Sequence, residues 1–231
     1  MKRVNPKPRR SAHFKTRSRR GSYLGVTGKY PSPHNRHCLF FEGFRERDLI
    51  VLLSFDDTVE GLEDHPFRIE YLVKGKARIY TPDLFVRFRK EAGRADLLVE
   101  VKLSSELRRT GKEYGARFRA ARGYCRSRSM KFRVVTERSL PRPLVGNLRF
   151  LLPYRREPPE PALDEAFLDL AQRGVQPLRN YVQDLGKLGF DQGDVIFGAW
   201  RLAARQLLKV DLNAPLSMDT RMEAGAWTLT I

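Results

Sequence analysis

Three prolines fall within four positions at Pro158, Pro159 and Pro161. So dense a loss of backbone donors blocks both helix and sheet, so the run cannot lie inside one regular element. It divides the chain into residues 1–155 and 156–231, and charge divides at the same place. Of 44 Lys/Arg and 27 Asp/Glu in 231 residues, the first part holds 36 and 16 and the second 8 and 11. The net +17 therefore resides on the first part. A surface so positive concentrates phosphate and releases its condensed counterions, which predicts a polyanionic partner, with nucleic acid the leading candidate. The mildly acidic second part suits a protein partner instead.

Other classes are disfavoured. No stretch approaches the roughly eighteen apolar residues of a membrane span, so no membrane association is expected. Cys38 and Cys125 are too few for a disulfide framework. His34, His37 and Cys38 lack the second ligand pair of a zinc site. The N-terminus has no apolar signal segment, and Pro6 and Pro8 work against an amphipathic transit helix. A cytoplasmic location follows as the expectation.

Residues 1–35 carry no apolar period and read as a basic flexible arm that orders on DNA, with Arg9, Arg10, Lys15, Arg17, Arg19 and Arg20 as phosphate contacts. Residues 36–155 read as an α/β core. A helix is predicted over 43–55, where Leu49, Ile50, Leu52 and Leu53 form an apolar stripe. Strands are predicted over 67–72, 78–81, 83–89 and 96–102. An arginine-rich helix over 105–126 follows, weakened at Gly111, then a strand over 131–136. Arg108, Arg109, Lys112, Arg117, Arg119 and Arg122 on that helix suit phosphate contacts that hold DNA without reading bases. Residues 156–231 read as a mostly helical domain, with helices over 163–173, 178–188 and 191–206 and extended pieces over 207–212 and 227–231, an order that suits a winged helix.

The candidate chemistry lies in four residues. Glu46 stands three, four and seven residues before Leu49, Ile50 and Leu53, so it points the way the apolar stripe points. A carboxylate there needs a metal or a base, or else it merely complements the helix dipole from the first turn. Pro82 sets Asp83 at the start of a strand, although a Pro-Asp pair alone is a turn. In the strand Leu97-Leu98-Val99-Glu100-Val101-Lys102, the period of two puts Glu100 and Lys102 on one face. A surface ion pair would explain that pair equally. Together, a helix acid, a strand-opening Asp and a Glu-x-Lys can bind one or two Mg²⁺ through hard oxygens, with the lysine near an attacking water, for phosphodiester hydrolysis.

Gly28-Lys29-Tyr30-Pro31-Ser32, Glu42-Gly43-Phe44-Arg45-Glu46-Arg47-Asp48, Leu52-Leu53-Ser54-Phe55-Asp56, His65-Pro66-Phe67, Tyr80-Thr81-Pro82-Asp83 and Val99-Glu100-Val101-Lys102 together resemble the N-terminal endonuclease domain of the TnsA family, in order and spacing. A fainter likeness runs through Val135-Thr136-Glu137-Arg138 and Asn147-Leu148-Arg149-Phe150 into the C-terminal half. The resemblance implies a restriction-endonuclease-like core, a mixed sheet flanked by helices, followed by a smaller winged-helix-like domain. It implies Glu46, Asp83, Glu100 and the Val101 carbonyl as Mg²⁺ ligands, with Mn²⁺ able to substitute, and Lys102 orienting the nucleophile. The family usually shows Ser and Leu where this chain has Gly43 and Arg45, which leaves Glu42 as a rival to Glu46. Glu42 falls before the helix and off its stripe, which favours Glu46. The resemblance further implies a subunit that hydrolyses the 5′ ends of a transposable element in cut-and-paste transposition in a prokaryotic cytosol. Its partners would be a TnsB-like transposase and, through the C-terminal domain, a TnsC-like ATP-dependent regulator. Rival readings are another restriction-like or resolvase-like nuclease, and a non-catalytic DNA-binding assembly subunit.

Overall fold

The computed structural model describes residues 26–227. Arg9, Arg10, Lys15, Arg17, Arg19 and Arg20 of the basic arm lie outside the described residues, as do the Lys112 side chain and residues 228–231 of the last predicted extended piece. The chain forms two compact units that divide between Ser139 and Leu140.

The first unit begins with a hairpin of β1 (Thr27–Pro31) and β2 (Cys38–Glu42). The basic arm therefore stops short of the predicted residue 35. In β1 only Gly28 and Tyr30 are even half-buried, so the strand is held by backbone pairing and leaves no apolar period to read. Gly28 pairs with Phe41, whose ring fills the space a Cβ would need: the ring carbon Cζ lies 2.6 Å from that position.

Gly43 opens α1 (Phe44–Leu53) with φ +139°, in the region favouring glycine, so a residue with a side chain would be strained here. Leu49 through Leu53 are all buried. The helix is thus enclosed at its C-terminal half and apolar on more than one stripe.

The central sheet runs β3 (Val59–Asp64), β6 (Leu84–Phe88), β7 (Leu97–Val101), β8 (Lys131–Val135), while β4 (Ile69–Val73) and β5 (Lys76–Tyr80) form a separate hairpin. The first two neighbour pairs are antiparallel and β7–β8 is parallel, so the sheet is mixed. A parallel pair needs a crossover. It is supplied by α2 (Ser104–Arg126), one continuous helix of 23 residues through Gly111. Glu137, just past β8, fixes the start of α2 by accepting from the Ser104 N–H at 2.9 Å and from the Ser104 hydroxyl. Those bonds draw its carboxyl down to about 2. Every residue of β7 is buried, as a strand covered on both faces requires. Ile69, Tyr80, Phe85 and Leu98 form one core with Ala121 and Cys125 of α2.

The second unit starts earlier than the proline run suggests. Its first helix, α3 (Arg142–Leu151), buries Val145, Leu148 and Leu151, which lie on one face at helical spacing. Asn147 clamps it to the same unit by donating to the carbonyls of Leu212 and Ala214 at 2.8 and 2.7 Å. The prolines serve as a short connection within the unit, and Pro161 takes the first turn of α4 (Pro161–Gln172), where its missing N–H costs nothing. Then come β9 (Gln176–Pro177), α5 (Leu178–Lys187), α6 (Gln192–Ala204), β10 (Leu208–Lys209) and β11 (Arg221–Ala224). The three short strands form one antiparallel sheet in the order β10-β11-β9. With the division at Ser139, the first unit holds 33 Lys/Arg against 16 Asp/Glu and the second 11 against 11. The whole excess of positive charge therefore belongs to the first unit.

Candidate active site

Sheet register brings two of the expected acids together. Leu84 pairs with Val99 in the antiparallel β6–β7 ladder, so the next step outward sets Asp83 opposite Glu100, within side-chain reach of it. The Asp83 N–H donates to the Val99 carbonyl at 3.2 Å. Its Oδ2 accepts from the Val101 N–H at 2.6 Å. Lys102 completes the group: its Nζ donates to Glu100 Oε1 at 2.8 Å and to the Val101 carbonyl at 3.0 Å, and lies 3.8 Å from Asp83 Oδ2. The Lys102 backbone N–H donates to Val135 O at 3.0 Å, which ties this point of the chain to β8.

Glu46 reaches the site from elsewhere. It lines a small cleft with Phe40, Leu49, Ile50, Asp83, Leu84 and Val101. Glu42 is exposed at the end of β2 and contributes its N–H, which donates to Glu46 Oε2 at 2.7 Å. The Glu46 carboxylate thus lines the cleft and also ties down the chain that enters α1. Strand alternation places Glu46 and Glu100 on opposite sides of β7. Val101 and Leu84 line the α1 side, whereas Glu100 shares its face with Leu98, in the core against α2. Asp83 sits between the two at the strand end. Among the described residues, no three His, Cys, Asp or Glu side chains converge as a ready-made metal site. Mg²⁺ does not require three, since it binds through one or two carboxylates and keeps waters. The hard oxygens of Asp83, Glu100 and the Val101 carbonyl fit that demand.

The electrostatics follow from crowding. Burial, reinforced by the Glu100 charge, pushes Asp83 up to about 7. Burial also raises Glu46. Burial alone would lower Lys102, but Asp83 and Glu100 outweigh it and its ammonium is held more firmly than usual. In the metal-free protein, folded Asp83 holds a proton that the unfolded chain releases near pH 4. Its contribution to stability is therefore complete below about pH 4 and is lost as pH rises to about 7. In EDTA, the stability of the wild type relative to Asp83→Asn should fall across that window, by up to about 1.4 kcal/mol per pH unit. Parallel urea titrations of the two proteins would refute the assignment if their difference stayed flat.

Two residues at the site, His65 and Tyr80, have no role in the sequence reading, and a third, Arg117, has a different one. His65 takes φ +46°, a left-handed backbone uncommon outside glycine. Its N–H donates to Asp83 O at 3.1 Å and its Nδ1 lies 3.6 Å from Asp64 Oδ2. That partner raises the imidazole against the effect of burial. Tyr80, 4% exposed, donates its hydroxyl to Glu100 Oε2 at 2.6 Å. Arg117 brings Nη1 to 3.9 Å from Glu100 Oε1. His65 and Tyr80 stand inside the motifs quoted for the family, so their positions were legible although their contacts were not. Arg117, expected among the phosphate contacts, is turned toward the carboxylates, whereas Arg108, Arg109, Arg119 and Arg122 are exposed along α2.

A mixed sheet flanked by helices, with acids at facing strand ends and a lysine beside them, is consistent with the restriction-endonuclease-like class of nucleases. Residues 56–137 match the family model described as the TnsA-like endonuclease N-terminal domain, a likeness that supports a TnsA-type endonuclease family for this segment. A domain of this type implies DNA and the other subunits of a transposase as partners in general. A search of curated proteins gave no match. Among the described residues, no helix is long and apolar enough to cross a membrane.

Proposed function

We propose that the chain is a Mg²⁺-dependent DNA endonuclease subunit that hydrolyses the 5′ ends of a transposable element during cut-and-paste transposition in a prokaryotic cytosol. The observation that carries this reading is Asp83 facing Glu100 across β6–β7 with Lys102 Nζ between them. Asp83, Glu100 and the Val101 carbonyl would hold the metal, with Glu46 joining from the α1 side and Mn²⁺ able to substitute. The bound metal would neutralise the scissile phosphate and make a water nucleophilic at neutral pH. Lys102 would orient that nucleophile and stabilise charge on the phosphate, a task suited to an ammonium already held among acids. Asp83 fixes the end of β7 through the Val101 N–H, so the carbonyl and the lysine on either side of that peptide keep their places.

Arg108, Arg109, Arg119 and Arg122 on α2, with Lys112 and the arm residues Arg9, Arg10, Lys15, Arg17, Arg19 and Arg20, would carry the duplex by its phosphates. Neutralising Arg108 and Arg109 together should weaken DNA binding almost equally for all sequences and reduce the slope of log affinity against log salt by about two. An unchanged slope in a filter-binding series would remove α2 from the interface.

In the second unit, the order α4, β9, α5, α6, β10, β11 with its three-stranded antiparallel sheet supports a winged-helix-like reading. Its balanced charge makes it a poor phosphate binder and a better dock for a TnsC-like ATP-dependent regulator. A TnsB-like transposase would cut the 3′ ends. Nothing in the chain reads as a base-reading module, so activity should require those partners. The test is strand cleavage of transposon-end DNA with and without transposase and regulator, in Mg²⁺ and in EDTA. Metal-dependent 5′ cuts only in the complete mixture are expected. Robust sequence-specific cutting by the purified chain alone would count against the subunit reading, and absence of any 5′ cut would favour a non-catalytic assembly subunit.

A further inference from the structure

We infer that Tyr80 and Arg117 are positioning residues that hold Glu100 in its orientation when Lys102 turns from it to the DNA; the inference rests on the nuclease reading above. Glu100 is 2% exposed. A carboxyl group so buried is tolerated only while its oxygens are paired and hydrogen-bonded. Lys102 presently supplies the nearest cation, at 2.8 Å on Oε1. A lysine that must serve a nucleophile and a phosphate cannot remain wholly committed to that oxygen. The other oxygen, Oε2, is held independently by the Tyr80 hydroxyl at 2.6 Å. Tyr80 comes from the β4–β5 hairpin, outside the central sheet, and its ring is locked in the core with Ile69, Phe85 and Leu98.

Arg117 supplies the second cation. Its guanidinium carbon lies 5.4 Å from the centre of the Tyr80 ring and 5.1 Å from that of Tyr114, while Nη1 faces Glu100 Oε1 at 3.9 Å. Tyr114 is itself fixed, stacked on Phe118 and donating its hydroxyl to Glu106. Two aromatic faces thus hold the half-buried Arg117 guanidinium beside Glu100, on a helix whose other arginines are exposed. Arginine suits this task, since its planar, permanently charged head stacks on rings where a lysine would not. Partners that hold a metal-ligating group in orientation typically contribute about 10–100-fold to metal affinity or activity.

The test compares wild type, Tyr80→Phe, Arg117→Gln and Asp83→Ala as full chains. One readout is the Mg²⁺ concentration at half-maximal 5′ cleavage with the partner subunits. A second, free of catalysis, is the Ca²⁺ concentration that half-saturates the thermal shift of the chain alone. Tyr80→Phe removes only a hydroxyl and keeps the ring, so its metal-free melting temperature should stay near wild type while both midpoints rise about 10-fold or more. Arg117→Gln should raise both midpoints and leave DNA affinity in Ca²⁺ and its salt slope unchanged. If Arg117→Gln lowers the salt slope by about one with metal midpoints unmoved, Arg117 is a phosphate contact and the inference fails. Wild-type midpoints in Tyr80→Phe also overturn it. If Asp83→Ala matches wild type in both readouts, the nuclease reading itself falls.

Discussion

Asp83→Ala and Lys102→Ala should each reduce 5′ strand cleavage by on the order of 10²–10³-fold in the complete transposition mixture while leaving 3′ cutting by the transposase in place. The magnitude is that of losing one pre-set electrostatic group in a largely buried site. The two variants fail for different reasons. Asp83→Ala removes a hard-oxygen donor and also the acceptor of the Val101 N–H, so some loss of stability accompanies it, of roughly 1–3 kcal/mol for an unpaired buried donor. Against that stands the relief of a carboxylate pushed up to about 7 by burial and by Glu100. The net change in folding should be small compared with the change in rate, and Asp83→Asn separates them, because it keeps an acceptor for Val101. Lys102→Ala removes the ammonium between the two acids and leaves Glu100 with Tyr80 and Arg117. Melting curves beside product gels decide the matter. Folded variants that still cut the 5′ strand at the wild-type rate would end the catalytic assignment of this site.

How far the sequence alone reveals this site depends on whether each signal is local. Glu100 and Lys102 sit in a strongly apolar strand, and their common face follows from a period of two, so both could be placed from five neighbouring residues. Asp83 followed from Pro82. The pairing of Asp83 with Glu100 depends on the register of β6 against β7, a tertiary fact that the family resemblance supplied and the local pattern could not. β3 was missed because a bulge between Val59 and Gly61 shifts its register, and its buried positions then recur every three residues. β1 was missed because it buries almost nothing. The domain boundary was misplaced for another reason. Prolines 158, 159 and 161 do break regular structure, but a break between elements is not a break between cores, and α3 with its buried Val145, Leu148 and Leu151 packs on the far side of it. Arg117 could not be distinguished from its exposed neighbours on α2, since what turns it inward is a pair of tyrosines from two different elements.

Asp164→Ala should destabilise the second unit by about 3–5 kcal/mol, a large effect from a residue remote in sequence from the chemistry. Asp164 stands in the first turn of α4, where Oδ2 accepts from the Glu160 N–H at 3.2 Å and Oδ1 accepts from Arg201 Nη2 at 2.5 Å. The Arg201 side chain on α6 is only 4% exposed, and its Nε has no hydrogen-bond partner among the described residues. Its charge therefore depends on Asp164, and removing that carboxylate leaves a buried guanidinium uncompensated. The reverse change should be milder. Arg201→Met leaves Asp164 at 14% exposure, near the positive end of a helix and still bonded to the Glu160 N–H, where an acid is welcome. The double variant Asp164→Ala, Arg201→Met should recover most of the loss, because an apolar chain of similar volume avoids the desolvation that the ion pair must overcome. Urea unfolding of the three full-length variants measures the asymmetry. Equal losses for the two single variants, or a double variant no better than Asp164→Ala, would show that packing between α4 and α6, and not the buried charge, sets the cost.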